Sequence, residues 1–199
     1  MSTAKARSYR MTKRAEDVAQ TRQRIVEATT ELHSTVGPAR TTVAGIAERA
    51  GVTRLTVYRH FPDDEALFAA CSAHWFSQQP TVPNPLGWQA FSDPEERLRR
   101  GLAELYAFYR HGEQTLTAVY RDWDSIPASH RAGMVANNAA LREALVSAYR
   151  RPSKRLKALA GHAAAFSTWR SLCRDNGLTD AAAVEAMVAM VRCGSGSVR

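Results

Sequence analysis

No stretch of the 199 residues alternates apolar and polar side chains with the period of two that a half-buried strand requires. Apolar residues recur instead at three- and four-residue steps, the spacing that stacks them along one face of a helix. The sequence therefore predicts an all-α chain. Ile25, Ala28, Leu32 and Val36 make such a stripe from Thr21 until Gly37-Pro38 stops it. Leu98, Leu102, Leu105, Tyr106 and Tyr109 make another, beginning at Pro94 and expected to end at Gly112. Helices are read over residues 114–123 and 128–149, with a break at Arg151-Pro152 and Ser153 as the next cap. Two more follow. One carries Leu156, Leu159, Ala160, Ala163 and Phe166 as far as Asn176-Gly177, and the other carries Val184, Met187, Val188 and Val191 after a Thr179 cap. Pro80, Pro83, Pro85 and Pro94 with Gly87 mark residues 79–94 as a loop, with room for a short turn around Trp88.

The punctuation of residues 41–65 is denser and more informative. Thr41 or Thr42 is placed to cap a short helix whose inward positions are Val43, Ile46, Ala47 and Ala50. Gly51 supplies the turn, and Thr53 caps a second short helix, residues 54–60, that Pro62 ends. Asp63 caps the helix after it, with Asp64 and Glu65 in the first turn, and Leu67, Phe68, Cys71 and Trp75 form its apolar stripe. Two short helices joined through Ala50-Gly51-Val52 can cross closely at a steep angle, which leaves one face of the second free to enter a groove about 12 Å wide.

Charge agrees with that reading. The chain carries a net +8, and residues 1–62 hold 11 Lys/Arg against 5 Asp/Glu, whereas residues 63–199 hold 16 against 14. A positive field concentrated in the N-terminal third points to a polyanion, which charge alone leaves open as DNA, RNA or a membrane surface. Residues 1–16, with Lys5, Arg7, Arg10, Lys13 and Arg14 and little to bury, read as a basic disordered arm, and residues 194–199 as a disordered tail. Three scattered cysteines without a C-x-x-C pair give neither a disulfide framework nor a metal site, and no cofactor is indicated. Without an apolar leader or a run of about 18 apolar residues, the chain is expected in the cytoplasm, away from the membrane.

The run TTVAGIAERAGVTRLTVYRHFPDDEALFAAC, residues 41–71, resembles the DNA-binding domain of the TetR family, with residues 21–36 as its N-terminal packing helix. That resemblance implies a three-helix helix-turn-helix domain over residues 17–65 and a larger helical ligand-binding and dimerisation domain over residues 66–193. It implies double-stranded DNA, as a palindromic operator, for a partner, and a homodimer built through the two C-terminal helices. Carried over by position, Arg54, Leu55 and Thr56 stand where the family reads bases. Thr41, Thr42, Tyr58, Arg59 and His60 stand at or beside its phosphate contacts. The chemistry suits these roles: Arg pairs with guanine O6 and N7, Leu or the Thr methyl meets a thymine methyl, and Tyr and His donate to phosphate. Asp64 departs from the pattern, because the family commonly has a phosphate-binding lysine near the start of this helix.

Residues 75–149 supply a dense set of aromatics, most of it explained by core packing. Tyr106, Tyr109, Tyr120 and Trp123 are the candidates for lining a pocket for a small apolar or aromatic effector whose binding releases the operator. The resulting expectation is a repressor regulating transcription. A sequence-nonspecific DNA-binding protein is the alternative. A helical enzyme is the other, although no Gly-x-Ser-x-Gly, phosphate-cradling loop, His-Glu-x-x-His or close Cys/His set is present.

Overall fold

The computed structural model describes the backbone of residues 2–194 and the side chains of residue 11 and residues 13–194, and among these residues the regular structure is helical. In chain order the helices are α1 (Ser2–Thr35), α2 (Val43–Ala50), α3 (Arg54–His60), α4 (Asp64–Ser77), α5 (Pro85–Trp88), α6 (Pro94–Arg121), α7 (Ala128–Val146), α8 (Lys154–Ala163), α9 (Phe166–Arg170) and α10 (Asp180–Gly194). Single 3-10 turns lie at Pro38–Arg40 and Trp123–Ser125, and a π turn at Ser171–Asp175. The chain divides into two compact units, one of residues 1–78 with 117–130, the other of residues 79–116 with 131–199.

In the first unit α1 packs on α2 and α4, and α2 on α3. Ile25, Val26, Ala28, Ile46, Ala47, Ala50, Val57, Phe61, Leu67 and Cys71 form one buried cluster. Thr29, buried with α1's apolar face, donates its hydroxyl to the Ile25 carbonyl at 2.8 Å. Residues 117–130 join this unit through polar ties. Arg121 donates from Nη2 to the Val36 carbonyl at 2.9 Å, and the Ala39 N–H donates to Asp122 Oδ2 at 3.1 Å. Gly37 makes that approach possible: its φ is 92°, and a Cβ there would overlap Arg121 and Asp122.

The second unit is built around Trp88, Leu98, Leu102, Leu105, Tyr106, Leu145, Val146, Trp169 and Val191, all buried. Several of its buried polar atoms find partners inside it, whereas Arg142 Nε and the Tyr149 hydroxyl are buried without one among the described residues. Trp88 Nε1 donates to Glu104 at 2.8 Å, Trp169 Nε1 to Asp180 at 2.9 Å, and Arg110 holds Asp180 with two hydrogen bonds of 2.5 and 2.6 Å. The Asp180 carboxyl sits below the usual carboxylate range although its burial opposes this, because Arg110 and Trp169 both donate to it.

Several expectations need correction. Residues 2–16, expected as a disordered arm, continue α1 upstream: between Ser2 and Thr35 there is no Pro or Gly, and Ala, Lys, Arg, Met, Glu and Gln are good helix formers. Gly112 does not end α6. An interior Gly costs about 1 kcal/mol, and burial of Leu116 and Ala118 beyond it continues the stripe. The helix expected to run from Ser153 to Asn176 breaks at Ala164-Ala165, where Phe166 starts α9 and a π turn follows. The run 158–165 is rich in Ala and Gly and offers no signal for that break. Gly194, expected at the start of the tail, closes α10; residues 195–199 lie outside the described residues. α4 and residues 117–130 cluster with the first unit, whose N-terminal segment runs to residue 78.

Candidate nucleic-acid interface

The helix pair α2–α3 is set by its caps. Thr42 is the N-cap of α2, its Oγ1 accepting from Gly45 N at 3.1 Å. At the other end the Gly51 N–H donates to Glu48 at 3.2 Å and the Val52 N–H to Ala47 at 2.9 Å, a Schellman closure. It requires a left-handed residue, and Gly51 adopts φ 65°, ψ 43°. Thr53 then caps α3, accepting from Thr56 N at 3.2 Å, and Asp63 caps α4, accepting from Ala66 N at 2.7 Å.

Seven residues cannot hold a helix by themselves, so the packing of α3 fixes which way it faces. Val57 and Phe61, four residues apart, are 1% and 2% exposed and anchor it on the core. At about 100° per residue, Arg54, Leu55, Tyr58 and Arg59 then fall within one sector of about 140° that begins about 60° round the helix from Val57. All four are exposed, Leu55 at 79% and Tyr58 at 55%. Two arginines, a phenol and an isobutyl group thus project from one short helix. Thr56 and His60 lie together between Arg59 and the buried Val57 and are half-buried.

The remaining candidates occupy different settings. Thr42 is exposed at the N-terminus of α2, with its oxygen engaged as the cap acceptor and its O–H free to donate outward. Thr41 is half-buried, and its hydroxyl donates to the Gly37 carbonyl at 2.9 Å, so the structure spends that donor internally. The His60 Nε2 is buried without a hydrogen-bond partner. Burial, followed by the charges of Arg59 and Arg22, holds the His60 imidazole below its ordinary value of 6.5 and favours the neutral ring. Asp64 is exposed in the first turn of α4.

The four aromatic candidates for an effector site divide between the two units. Tyr106 and Tyr109 are buried in the second unit, their hydroxyls donating to the Ala163 and Ala164 carbonyls at 2.8 and 2.6 Å. Tyr120 and Trp123 belong to the first unit and stack on each other, centroids 6.0 Å apart and planes 5° from parallel. Among the described residues, no group of three or more His, Cys, Asp or Glu is placed to hold a metal ion, and no helix is long and apolar enough to cross a membrane.

Residues missed at the level of sequence gather around α1. Arg22 lies over the Phe61 ring, its Cζ 4.6 Å from the centroid. His33 and His130 flank the Phe68 ring at 5.1 and 4.7 Å. On the polar side of an amphipathic stretch Arg22 carries no signal of its own, since a charge there reads as solvated surface.

Comparison with known proteins places this geometry. The family model of bacterial regulatory proteins, tetR family, matches residues 25–71, from the core of α1 through α2 and α3 to Cys71 in α4. Residues 25–71 are thus similar to the N-terminal domain of bacterial regulatory proteins of the tetR family. Among solved structures, a TetR transcriptional regulator from Rhodococcus sp. RHA1 is similar, with 18% identity over 91% of this chain and 98% of that one and a TM-score of 0.53. A tetR-family transcriptional regulator from Streptomyces coelicolor shares 19% identity over 88% of this chain and 80% of its own, with a TM-score of 0.59. A second TetR-like regulator from Rhodococcus sp. RHA1 shares 18% over 89% and 96%, with a TM-score of 0.54. No curated protein matches the chain. At such identities the structural likeness speaks for the fold alone: a TetR-type helix-turn-helix followed by a helical C-terminal domain.

Proposed function

We propose that the chain is a sequence-specific repressor that acts as a homodimer on a palindromic operator and leaves it when a small apolar or aromatic effector binds. The observation that supports this most is the exposed face of α3, where Leu55 and Tyr58 are held in solvent between Arg54 and Arg59 while Val57 and Phe61 fix the helix from below. An apolar side chain 79% exposed between two guanidiniums suits a groove that offers thymine methyls beside guanine acceptors. In this reading Arg54, Leu55 and Thr56 touch base edges. Tyr58, Arg59, His60 and the Thr42 hydroxyl hold phosphates, and Thr41 supports Thr42 through its bond to Gly37.

For the dimer, α8 and α10 are the natural faces. Ala158 and His162 on α8, and Ala182, Ala186 and Cys193 on α10, are exposed, small for the most part and spaced at helical intervals, so two copies can approach closely. An isologous contact of this kind sets two α3 helices about one DNA turn apart. For the effector, Tyr106 and Tyr109 offer apolar rings whose hydroxyls already have partners, and Tyr120 with Trp123 offers a stacked pair. Release requires an effector that binds the two conformations with different affinity. A DNA-binding role would place the protein in the cytoplasm, where it can reach the operator.

Selection of bound duplexes from a random library tests the reading. An enriched inverted repeat, bound about a thousandfold or more tighter than unrelated duplex, is expected. Recovery of duplexes without any common sequence would show a nonspecific binder instead.

A further inference from the structure

The cations of the first unit fall into two sets. Arg49 is paired with Glu31 at 2.5 Å, Arg121 with Asp122 at 2.7 Å, and Arg40 donates to the Val36 carbonyl at 3.0 Å. Lys13, Arg14, Arg22, Arg24, Arg54 and Arg59 are exposed and have no carboxylate partner among the described residues, and of these Arg22, Arg54 and Arg59 lie on or against α3. Arg54 and Arg59 lie on the outward sector of α3, but Arg22 comes from α1 and arrives at the other end of the recognition helix. Its guanidinium lies over the ring of Phe61, the residue that closes α3. There it is near enough, with Arg59, to disfavour a charge on His60. Three nitrogen-bearing side chains from two separate elements thus converge on the C-terminal end of α3.

That convergence sits next to an electrostatic problem. Asp63, Asp64 and Glu65 follow within four residues of Phe61, all three exposed, and would repel a nucleic-acid strand that passes the start of α4. A cation that answers them internally would form an ion pair, and Arg22 forms none. A guanidinium stacked on a ring keeps its N–H edge open, and the stacking has already removed part of the side chain's freedom, so less is lost when an anion binds.

We propose that Arg22 is a DNA-phosphate contact that holds the strand beside the end of α3 and replaces the attraction that the acidic start of α4 lacks. The assignment rests on the DNA-binding reading above and goes beyond it by recruiting α1. A structural role alone, with Arg22 covering Phe61, makes a different forecast: stability would change on substitution, but the salt dependence of DNA binding would not.

The experiment measures duplex affinity by fluorescence anisotropy across a salt series, using the best duplex from the random selection or, without enrichment, a mixed-sequence duplex. R22M keeps a stem over Phe61 and removes the charge. R170M removes the same charge from an exposed arginine on α9 and serves as the control for net charge. Each phosphate contact contributes about 0.9 to the slope of log affinity against log salt. R22M is expected to lower that slope by about 0.9 per protomer and the affinity by about tenfold at moderate salt, R22K to keep the slope, and R170M to leave it unchanged. If R22M melts too early to assay, R22Q gives the same comparison. An R22M or R22Q slope equal to that of the unmodified protein, or to that of R170M, overturns the assignment. Absence of any duplex binding by the unmodified protein at low salt would instead overturn the DNA-binding reading, and this one with it.

Discussion

Gly37→Ala attacks the connection between α1 and α2 where residues 117–130 are tied to it, and its cost can be worked from the geometry. At φ 92°, ψ 160° the backbone lies in a region that residues with a Cβ adopt only under strain of about 1–3 kcal/mol. The new methyl would also overlap Arg121 Nη2 and Asp122 Oδ2, so the bonds to the Val36 carbonyl and from the Ala39 N–H must loosen. Each is worth about 0.5–1.5 kcal/mol net, and both are solvent-accessible, which favours the lower half of that range. The total is about 3 kcal/mol, or a drop in Tm of roughly 6–12 °C for a chain of this size. Thermal melting followed by circular dichroism gives the number. The same substitution made on an Arg121→Ala/Asp122→Ala background separates the two parts. There both overlapping side chains are gone and the cost should drop by about 1 kcal/mol or more, leaving the backbone strain. A cost below about 1 kcal/mol in the unmodified chain, or an identical cost in both backgrounds, would refute the argument that Gly37 is required for close approach.

Other outcomes follow from single sites. Burial pushes the His33 imidazole down to about 4 from an ordinary 6.5, so the unfolded chain binds the proton first. The corresponding stability is fully present above pH 6.5 and is lost as pH falls toward 4, a loss on the order of 3 kcal/mol. Denaturant melts across that window should show it, and His33→Phe should flatten the dependence. Leu55→Ala should change stability by less than about 0.5 kcal/mol, because the side chain is 79% exposed, while Val57→Ala two positions away should cost about 2 kcal/mol. Equal costs would mean that α3 faces the other way. Asp64→Lys should tighten DNA binding and steepen its salt dependence, and unchanged affinity at low salt would show that Asp64 lies away from the strand.

What could be read from the sequence was whatever depends on local chemistry. Thr42, Thr53, Asp63, Ser153 and Thr179 cap helices because a short oxygen-bearing side chain answers orphan N–H groups, and Gly51 takes φ 65° because the turn after α2 needs it. These same residues fix α2 and α3, so the exposed set Arg54, Leu55, Tyr58 and Arg59 was legible as well. What failed depends on tertiary context. Gly112 was read as a stop, yet burial on both sides of it outweighs its propensity. The break before Phe166 lies among alanines and has no local marker. The grouping of residues 117–130 with the helix-turn-helix depends on polar ties from Arg121 and Asp122 to main-chain groups around Gly37, about 85 residues away in sequence. That Ala163 and Ala164 accept from the Tyr106 and Tyr109 hydroxyls is likewise a contact that a sequence does not show. Arg22 was silent for the same reason: its meaning comes from Phe61, on another helix.

The central claim is that the outward sector of α3 reads bases. Random-duplex selection repeated with Arg54→Ala, alongside the unmodified protein, tests it most directly. The account predicts that the variant recovers the same inverted repeat with preference lost at one symmetric pair of positions, a loss of about 1–3 kcal/mol in discrimination there. Recovery of an identical motif at every position, with undiminished discrimination, would contradict it.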